Sequence, residues 1–180
     1  MALPLVNALY GVAQVETYHP EVDTGWHQEL ALDALAYFHM QADLRAKIEG
    51  DWWARMTWAI LAHDIGKART PESLLPKHHQ HERRSAELCP TFQHQVLDVF
   101  PEARISLELN QWFAENHLHL HQWASLRGKT RQRLLTDAQS KGLPLAVLVV
   151  LACCDKRGRL FSELEVVDHP FSVVLTTKEV

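Results

Sequence analysis

The feature that most constrains the fold is an unbroken apolar run from Leu145 to Cys154, which ends directly at Asp155. A segment that is apolar on every side has to be buried, so it predicts a central helix over residues 145–155. Valines in the run also permit a strand, but the neighbouring segments all have helical spacing. With 47% apolar and 22% charged residues in 180, the chain has the composition of one globular domain with a sizeable core.

Helical spacing of apolar residues recurs along the chain and predicts an all-α fold. The predicted helices cover residues 24–40, 51–63, 78–88, 102–122, 130–138 and 145–155. Asp23 or Thr24 is a candidate N-cap of the first helix, and Gly66 is a candidate stop after the second. Thr70–Pro71 predicts the start of a further helix, and Pro90 is expected to interrupt or restart the third.

The ends of the chain carry separate predictions. The stretch FSVVLTT near the C-terminus predicts a short β or extended tail over about residues 160–180. The N-terminal MALPLVNALYG lacks a basic leader and a cleavage motif, which predicts no signal peptide. Without a linker-like or repetitive stretch between these ends, residues 1–180 are expected to form a single domain.

Charge and cysteine content exclude several classes of protein. The net charge of −4 does not indicate binding to nucleic acid or to a membrane surface through overall charge. The longest apolar run is too short to span a bilayer. The 3 cysteines form no C-x-x-C motif, which fits reduced thiols and a cytoplasmic location.

Histidine is abundant, with 12 residues, and it is the commonest metal ligand in proteins. The pair His63–Asp64 directly follows the apolar run 58–62, where burial of either side chain is costly without a partner. Taken alone, the pair fits an ion pair at a helix end. His27 alone fits a surface histidine, and Asp155 alone fits an ion pair with a nearby arginine or lysine. Together, these two imidazoles and two carboxylates from three helices suit a divalent first-row ion.

The order His27, His63–Asp64, Asp155 resembles the HD superfamily of metal-dependent phosphohydrolases. Four segments sharpen this resemblance: YHPEVDTGWH (18–27), LAHDIGKARTP (61–71), LPKHHQHERRS (75–85) and DKRGR (155–159). In this order they resemble the HD domain of bacterial CCA-adding enzymes, the tRNA nucleotidyltransferases. The nucleotidyltransferase head of those enzymes, with its paired catalytic aspartates, has no counterpart in the sequence, so the resemblance implies only the activities of the HD part.

The resemblance implies an HD-type helical bundle with divalent-metal-dependent phosphohydrolase activity, as a phosphodiesterase or phosphatase. The implied substrates are nucleotides or RNA ends, such as 2′,3′-cyclic nucleotides, 2′-nucleotides or phosphomonoesters. His27, His63, Asp64 and Asp155 would hold one ion, chosen from Mn, Ni, Mg, Fe, Co and Zn. His81 and His117 are candidates for a second ion bridged by Asp64, although a solvated or phosphate-contacting role fits each of them equally well.

Positive side chains near these segments suit an anionic substrate. Lys67, three residues after Asp64, is expected to face a metal-bound phosphate and to take part in catalysis with that carboxylate. Lys77 and Arg159 are further candidate substrate contacts, whereas Arg83 and Arg84 are expected to be solvated. The histidines at positions 39, 94 and 169 are expected at the surface.

The sequence is also compatible with two other functions. The chain fits a non-catalytic HD module that binds RNA or another partner, with a purely structural metal. The intact set H…HD…D argues against that alternative. The chain also fits a hydrolase of a signalling nucleotide, which shares the chemistry and differs in its pocket.

Overall fold

The computed structural model describes residues 3–159, and within this range the protein is helical and contains no strand. The α-helices are α1 (Pro4–Asn7), α2 (Thr24–Met40), α3 (Ala42–Lys47), α4 (Trp52–His63), α5 (His81–Val99), α6 (Leu107–His121), α7 (Gly128–Ser140) and α8 (Leu145–Arg157). Short 3₁₀ segments cover Ile65–Arg69, Glu72–Leu74 and Trp123–Ser125. The all-α prediction is confirmed, and the predicted tail over 160–180 lies outside the described residues.

Helix α8 is buried, as its apolar run predicts, from Val147 to Ala152 and again at Cys154 and Asp155. Pro144 precedes its first turn, where a missing backbone N–H costs nothing. Helices α2, α4 and α6 all pack against α8, with α2 making the most extensive contact. The central position of α8 therefore places Asp155, near its C-terminal end, among the ends of other helices.

A second packing unit forms where α5 lies against α6 and against the 3₁₀ segment Ile65–Arg69. Its apolar cluster includes Leu9, Ile65, Phe92 and Val96, all fully buried, and is separate from the larger cluster around α8. Helix α4 contributes to both clusters, through Ile60 to the larger and through neighbouring Ala62 to the smaller. The end of α4 thus lies between the two packing units.

Helix α4 ends at His63, but Gly66 is not the residue that stops it. The chain continues from Asp64 into a 3₁₀ segment that contains Gly66 at negative φ. A Cβ at Gly66 would lie 2.5 Å from the His81 carbonyl oxygen and 2.5 Å from the Ser85 nitrogen. The glycine is therefore required for a close approach of this segment to α5.

The predicted helix start at Thr70–Pro71 is wrong. The following 3₁₀ segment, Glu72–Leu74, has three residues and no side-chain cap. The Thr70 hydroxyl instead contacts His78 Nδ1 at 2.8 Å and accepts a hydrogen bond from Arg84. Arg84 also donates to the Gly66 carbonyl, so the expectation that it is merely solvated is wrong.

Pro90 neither interrupts nor restarts helix α5, which continues through it to Val99 and begins at His81 rather than residue 78. A proline removes the N–H that would bond to the carbonyl four residues earlier, here that of Ala86. The Gln111 side chain donates to this carbonyl across the α5–α6 interface, at 3.4 Å. A neighbouring helix thus replaces the hydrogen bond that the proline removes.

Two other predicted boundaries shift. Ser106 caps α6 by accepting from the Leu109 nitrogen at 3.2 Å, so residues 102–106 precede the helix. Helix α7 is longer than the predicted 130–138 at both ends.

Among the described residues, no single helix is long and apolar enough to cross a membrane. Helices α7 and α8, bent by 115° at their break, have the required length and composition only when they are taken together.

Candidate metal centre

Six imidazole and carboxylate side chains meet between the two packing units, and we call this set the metal centre. Its members are His27 on α2, His63 and Asp64 at the end of α4, His81 at the start of α5, His117 on α6 and Asp155 on α8. None of them is more than 8% exposed. The structure therefore brings together all six residues that the sequence proposes as ligands.

Two nitrogens and two carboxylate oxygens of the centre lie close to one another. His27 Nε2 lies 3.0 Å from Asp155 Oδ1 and 4.0 Å from Asp64 Oδ2. His63 Nε2 lies 3.3 Å from Asp64 Oδ2 and 3.6 Å from Asp155 Oδ1. Ligand atoms about 2.1 Å from one ion are roughly 3.0–3.4 Å apart at neighbouring positions. The ligand atoms of His27, His63 and Asp64 all lie within 4.8 Å of one another, and Asp155 Oδ1 lies within 3.6 Å of both nitrogens, so this set suits a single divalent ion.

The other carboxylate oxygen of Asp64 faces a second pair of histidines. Its Oδ1 atom lies 3.2 Å from His81 Nε2 and 3.7 Å from His117 Nε2, and the two nitrogens are 3.2 Å apart. Asp64 thus directs Oδ2 to one set of ligands and Oδ1 to the other. A carboxylate shared in this way is the arrangement needed to bridge two ions.

Each of the four histidines of the centre is held by a backbone carbonyl oxygen. The Nδ1 atoms of His63, His81 and His117 lie 2.6 to 2.8 Å from the carbonyl oxygen three residues earlier on the chain. The Nδ1 atom of His27 lies 3.0 Å from the Gly158 carbonyl oxygen. A carbonyl can only accept, so each Nδ1 carries a proton and each Nε2 faces the centre. Metal-binding histidines are oriented by the same kind of contact.

Both carboxylates of the centre are ionised at neutral pH. Burial opposes the ionisation of Asp64, but Lys67 and His63 outweigh burial and hold the pKa of its carboxyl well below the usual range. Against the same opposition from burial, His121 and His63 lower the pKa of Asp155. The centre therefore presents two negative charges in a volume from which water is largely excluded.

The histidines differ in charge when no metal is bound. Burial would lower the pKa of His63, but Asp64 and Asp155 raise it to about 10. The pKa of His27 is also raised, because its bonds to Asp155 and Glu21 outweigh burial. Burial instead lowers the pKa of His117 well below the usual range. Without metal, a proton on His63 therefore helps to balance the charge of Asp64 and Asp155, which a bound divalent ion would balance instead.

Two buried atoms in the centre have no hydrogen-bond partner, namely His63 Nε2 and Asp64 Oδ1. A buried polar atom without a partner costs free energy, and such atoms are expected where an ion binds. One of them belongs to each ligand set. The donor set of imidazole and carboxylate also matches that of first-row divalent metals. The residues present therefore fit the divalent ion that the sequence proposes.

Lys67 lies inside the protein rather than at a surface. Its Nζ atom is 2.7 Å from Asp64 Oδ2 and also donates to the Gln14 side chain, and the residue is only 5% exposed. Lys67 nevertheless lines a cleft of about 600 Å³ that opens above the centre, together with His81 and His121. Its ammonium group therefore lies between the centre and the cleft.

The residues that line this cleft include Tyr18, Lys77, His79 and Arg159, which we call its rim. Tyr18, Lys77 and His79 are exposed, and Arg159 is half-buried. The structure thus places Lys77 and Arg159, the two other proposed substrate contacts, over the centre. An aromatic ring and two cationic side chains on one rim match the chemistry of a nucleotide phosphate.

Three residues around the centre were not assigned a role from the sequence. Glu21 is buried and lies 3.1 Å from His27 Nδ1, and Gln14 bonds to both Glu21 and Lys67. His121 Nε2 lies 2.7 Å from Asp155 Oδ2, so Asp155 pairs with histidines rather than with its arginine and lysine neighbours. The spacing of His117 and His121 places both on one face of α6, which is the only sequence signal for any of the three.

The fold and this ligand set define an all-α protein with a candidate divalent-metal centre. Comparison with curated proteins finds similarity to multifunctional CCA proteins. The protein of Xanthomonas axonopodis pv. citri (strain 306) is 39% identical over 168 residues, covering 89% of this chain and 36% of the relative. That of Variovorax paradoxus (strain S110) is 37% identical over 171 residues, with coverage of 94% and 36%.

A third relative, from Paracidovorax citrulli (strain AAC00-1), is 37% identical over 163 residues. The chain spans about a third of the length of these curated relatives. No family model and no solved structure matches the chain. The resemblance to CCA enzymes is therefore confirmed at the level of sequence similarity, whereas the HD assignment stays a prediction.

Proposed function

We propose that the chain forms a single HD-type domain that hydrolyses phosphate esters with the help of divalent metal ions. The observation that carries this proposal is the division of the Asp64 carboxylate between two histidine sets. Oδ2 lies 3.3 Å from His63 Nε2, and Oδ1 lies 3.2 Å from His81 Nε2. This arrangement suits two ions held side by side, which is a common design for phosphoester hydrolysis.

In the proposed centre, His27, His63, Asp64 and Asp155 hold one ion, and Asp64, His81 and His117 hold a second. A bound divalent ion supplies an activated water near neutral pH and neutralises charge on the phosphoryl group. The chain itself supplies the ligand geometry, because backbone carbonyls hold the histidines in one tautomer. Burial on all sides but the cleft excludes competing water.

Lys67 stabilises the negative charge of the substrate. In the absence of an ion its ammonium group neutralises Asp64 Oδ2 at 2.7 Å. With an ion held by Asp64, the ammonium group of Lys67 would face the cleft that this residue lines. In that position it would stabilise the negative charge of a phosphate oxygen bound above the centre.

The substrate that we propose is a nucleotide or an RNA end carrying a phosphate ester, such as a 2′,3′-cyclic nucleotide, a 2′-nucleotide or a phosphomonoester. The relatives are named multifunctional CCA proteins, and the resemblance to CCA-adding enzymes favours an RNA end as the physiological form. Lys77 and Arg159, which line the cleft, would bind phosphates beyond the reacting one. Tyr18, which is 66% exposed, offers a face for a base.

Turnover of bis-p-nitrophenyl phosphate and of 2′,3′-cyclic AMP tests this proposal. The metal-stripped protein should be inactive, and Mn²⁺, Ni²⁺ or Mg²⁺ should restore hydrolysis. Asp64→Ala should lower turnover by about 10³-fold or more, because it removes a ligand from both ions. His94→Ala, at an exposed histidine of α5, serves as the matched control and should retain full activity.

The outcomes separate the alternatives. Metal binding without turnover on any ester would support a non-catalytic binding module and contradict the enzyme proposal. Turnover of a signalling nucleotide and of no other ester would support the proposed chemistry and contradict the proposed substrate. Full activity of Asp64→Ala would contradict the proposed centre itself.

A further inference from the structure

The loop between α1 and α2 places a carboxylate next to the metal centre. This carboxylate is not one of the proposed ligands. Glu21, on this loop, is 6% exposed and has a fully buried side chain. Its Oε1 atom lies 2.7 Å from His19 Nδ1 and 3.1 Å from His27 Nδ1. The same oxygen accepts from Gln14 Nε2 at 3.3 Å. A buried carboxylate thus contacts His27 at Nδ1, the ring nitrogen that faces away from the metal centre.

A chain of hydrogen bonds also connects Glu21, through Gln14, to Lys67 and Asp64. Gln14 donates to Glu21 through its amide nitrogen and accepts from Lys67 through its amide oxygen. Lys67 in turn lies 2.7 Å from Asp64 Oδ2. One carboxylate is therefore connected to His27 directly and to the Lys67–Asp64 pair through a single amide.

The backbone holds Glu21 in this inward position. Ala13 and Asp23 form an isolated antiparallel bridge, and Gln14 N donates to the Val22 carbonyl at 2.7 Å. Asp23 also caps α2 by accepting from the backbone N–H three residues later. Val22 has φ 61, a left-handed conformation that a β-branched residue adopts only under constraint. Strain of this kind is concentrated at functional sites.

His27 differs from the other proposed ligands in having a fully buried carboxylate at Nδ1. In His63 and His117 the Nδ1 anchor is a neutral carbonyl on the same helix, and His81 Nδ1 lies 2.7 Å from such a carbonyl and 3.5 Å from the partly exposed carboxylate of Glu82. His27 has both a carbonyl and a carboxylate at Nδ1. A carboxylate in this position makes the opposite ring nitrogen a stronger metal ligand.

We propose that Glu21 is a positioning residue of the metal centre, acting on the affinity of the His27 ligand set through its charge and on Lys67 through Gln14. The proposal rests on the proposed function, since it requires His27 to bind an ion. The two contacts predict separate effects of substitution. Glu21→Gln keeps the volume and the accepting oxygen but removes the charge, whereas Glu21→Ala also removes the contact with Gln14.

Mn²⁺ binding, measured by equilibrium dialysis of the metal-stripped full chain at neutral pH, tests the charge effect. Glu21→Gln should weaken the affinity of one Mn²⁺ ion by about 10-fold, within the usual range for such partners, and leave any second ion unchanged. Its thermal unfolding should match that of the wild type. Glu16→Gln, an exposed carboxylate on the same loop, is the control and should bind Mn²⁺ as the wild type does.

Hydrolysis of bis-p-nitrophenyl phosphate at saturating Mn²⁺ tests the contact with Gln14. Glu21→Ala should have a lower kcat than Glu21→Gln, because only the alanine variant releases Gln14 and Lys67. Unchanged Mn²⁺ affinity in both Glu21 variants would overturn this inference while leaving the proposed function intact. A wild type that binds no Mn²⁺ would overturn both. An equal loss of stability and of both ions in Glu21→Gln would show a purely structural role.

Discussion

Helix faces and helix ends supply every side chain of the metal centre, whereas loops and chain bends supply the rim of the cleft above it. The six residues of the centre are nearly fully buried, and a backbone carbonyl fixes each histidine. On the rim, Tyr18, Lys77 and His79 are exposed. The difference indicates that helix packing fixes the geometry of the centre, whereas the rim side chains are less constrained by packing. The proposed function therefore assigns the chemistry and the substrate choice to different parts of the fold.

The sharpest test of this division is Asp155→Asn at the tip of α8. Asp155 contacts His27, His63 and His121, so loss of its charge should remove metal from the first ligand set. We expect turnover of bis-p-nitrophenyl phosphate to fall by about 10³-fold or more. Asp98→Asn, at an exposed carboxylate of α5, should be unaffected. Comparable activity in the two variants would show that the buried centre does not carry the reaction.

Glycines at the edge of the centre should be far less tolerant than a glycine elsewhere. A Cβ at Gly158 would lie 2.7 Å from His27 Cε1, and one at Gly66 would meet the backbone of α5. Each alanine substitution should therefore lower the free energy of unfolding by about 1–3 kcal/mol, and Gly158→Ala should also weaken metal binding.

Gly128→Ala is the matched control, because a Cβ there meets nothing within 4 Å. This change, at the start of α7, should be neutral or should stabilise the protein by up to about 1 kcal/mol. Urea unfolding of the three variants measures the differences. Equal tolerance at all three positions would mean that the centre is packed more loosely than the distances indicate.

The rim should respond in substrate affinity and not in metal content. Lys77→Ala should raise the KM for a nucleotide substrate by about 3- to 10-fold with kcat unchanged, since an exposed cation contributes modestly. The effect should shrink at high salt, where exposed charges are screened. Lys47→Ala, at an exposed lysine of α3, provides the comparison. A fall in metal content of Lys77→Ala would remove the distinction between rim and centre.

The smallest expected signal is the release of protons when metal binds. At pH 7 the pKa of His63, raised to about 10, leaves it protonated without metal, and the raised pKa of His27 favours a proton there too, so the ion must displace protons on binding. His117 is already neutral, because burial lowers its pKa, and should release none. Calorimetric titration with Mn²⁺ in buffers of different ionisation enthalpy measures the number released. Binding without proton release would mean that neither histidine is displaced from its carboxylate partner.

The parts of the molecule that follow helical periodicity were predictable from the sequence. Apolar spacing located α2, α4 and α8 closely, and polar residues directly after apolar runs marked His63, Asp64 and Asp155 as residues that need buried partners. Burial cost is a property of local sequence, so candidate ligands can be found without a structure.

The parts that depend on contacts between distant segments were not predictable. The continuation of α5 through Pro90 requires a hydrogen bond from Gln111, which is on another helix. Glu21 is on a loop, and only the Ala13–Asp23 bridge and the left-handed Val22 turn it towards His27. Neither feature leaves a periodic pattern, since the physical cause is tertiary.

The most direct test of the central claim, that Asp64 is shared between two ligand sets, is the number of Mn²⁺ ions bound per chain. Metal-stripped wild type, His117→Ala and Asp64→Ala would be dialysed against Mn²⁺ and analysed for metal, with folding checked by circular dichroism. The shared carboxylate predicts two ions in the wild type, one in His117→Ala and a loss at both positions in Asp64→Ala. Equal metal content in all three proteins, or none in the wild type, would contradict the claim.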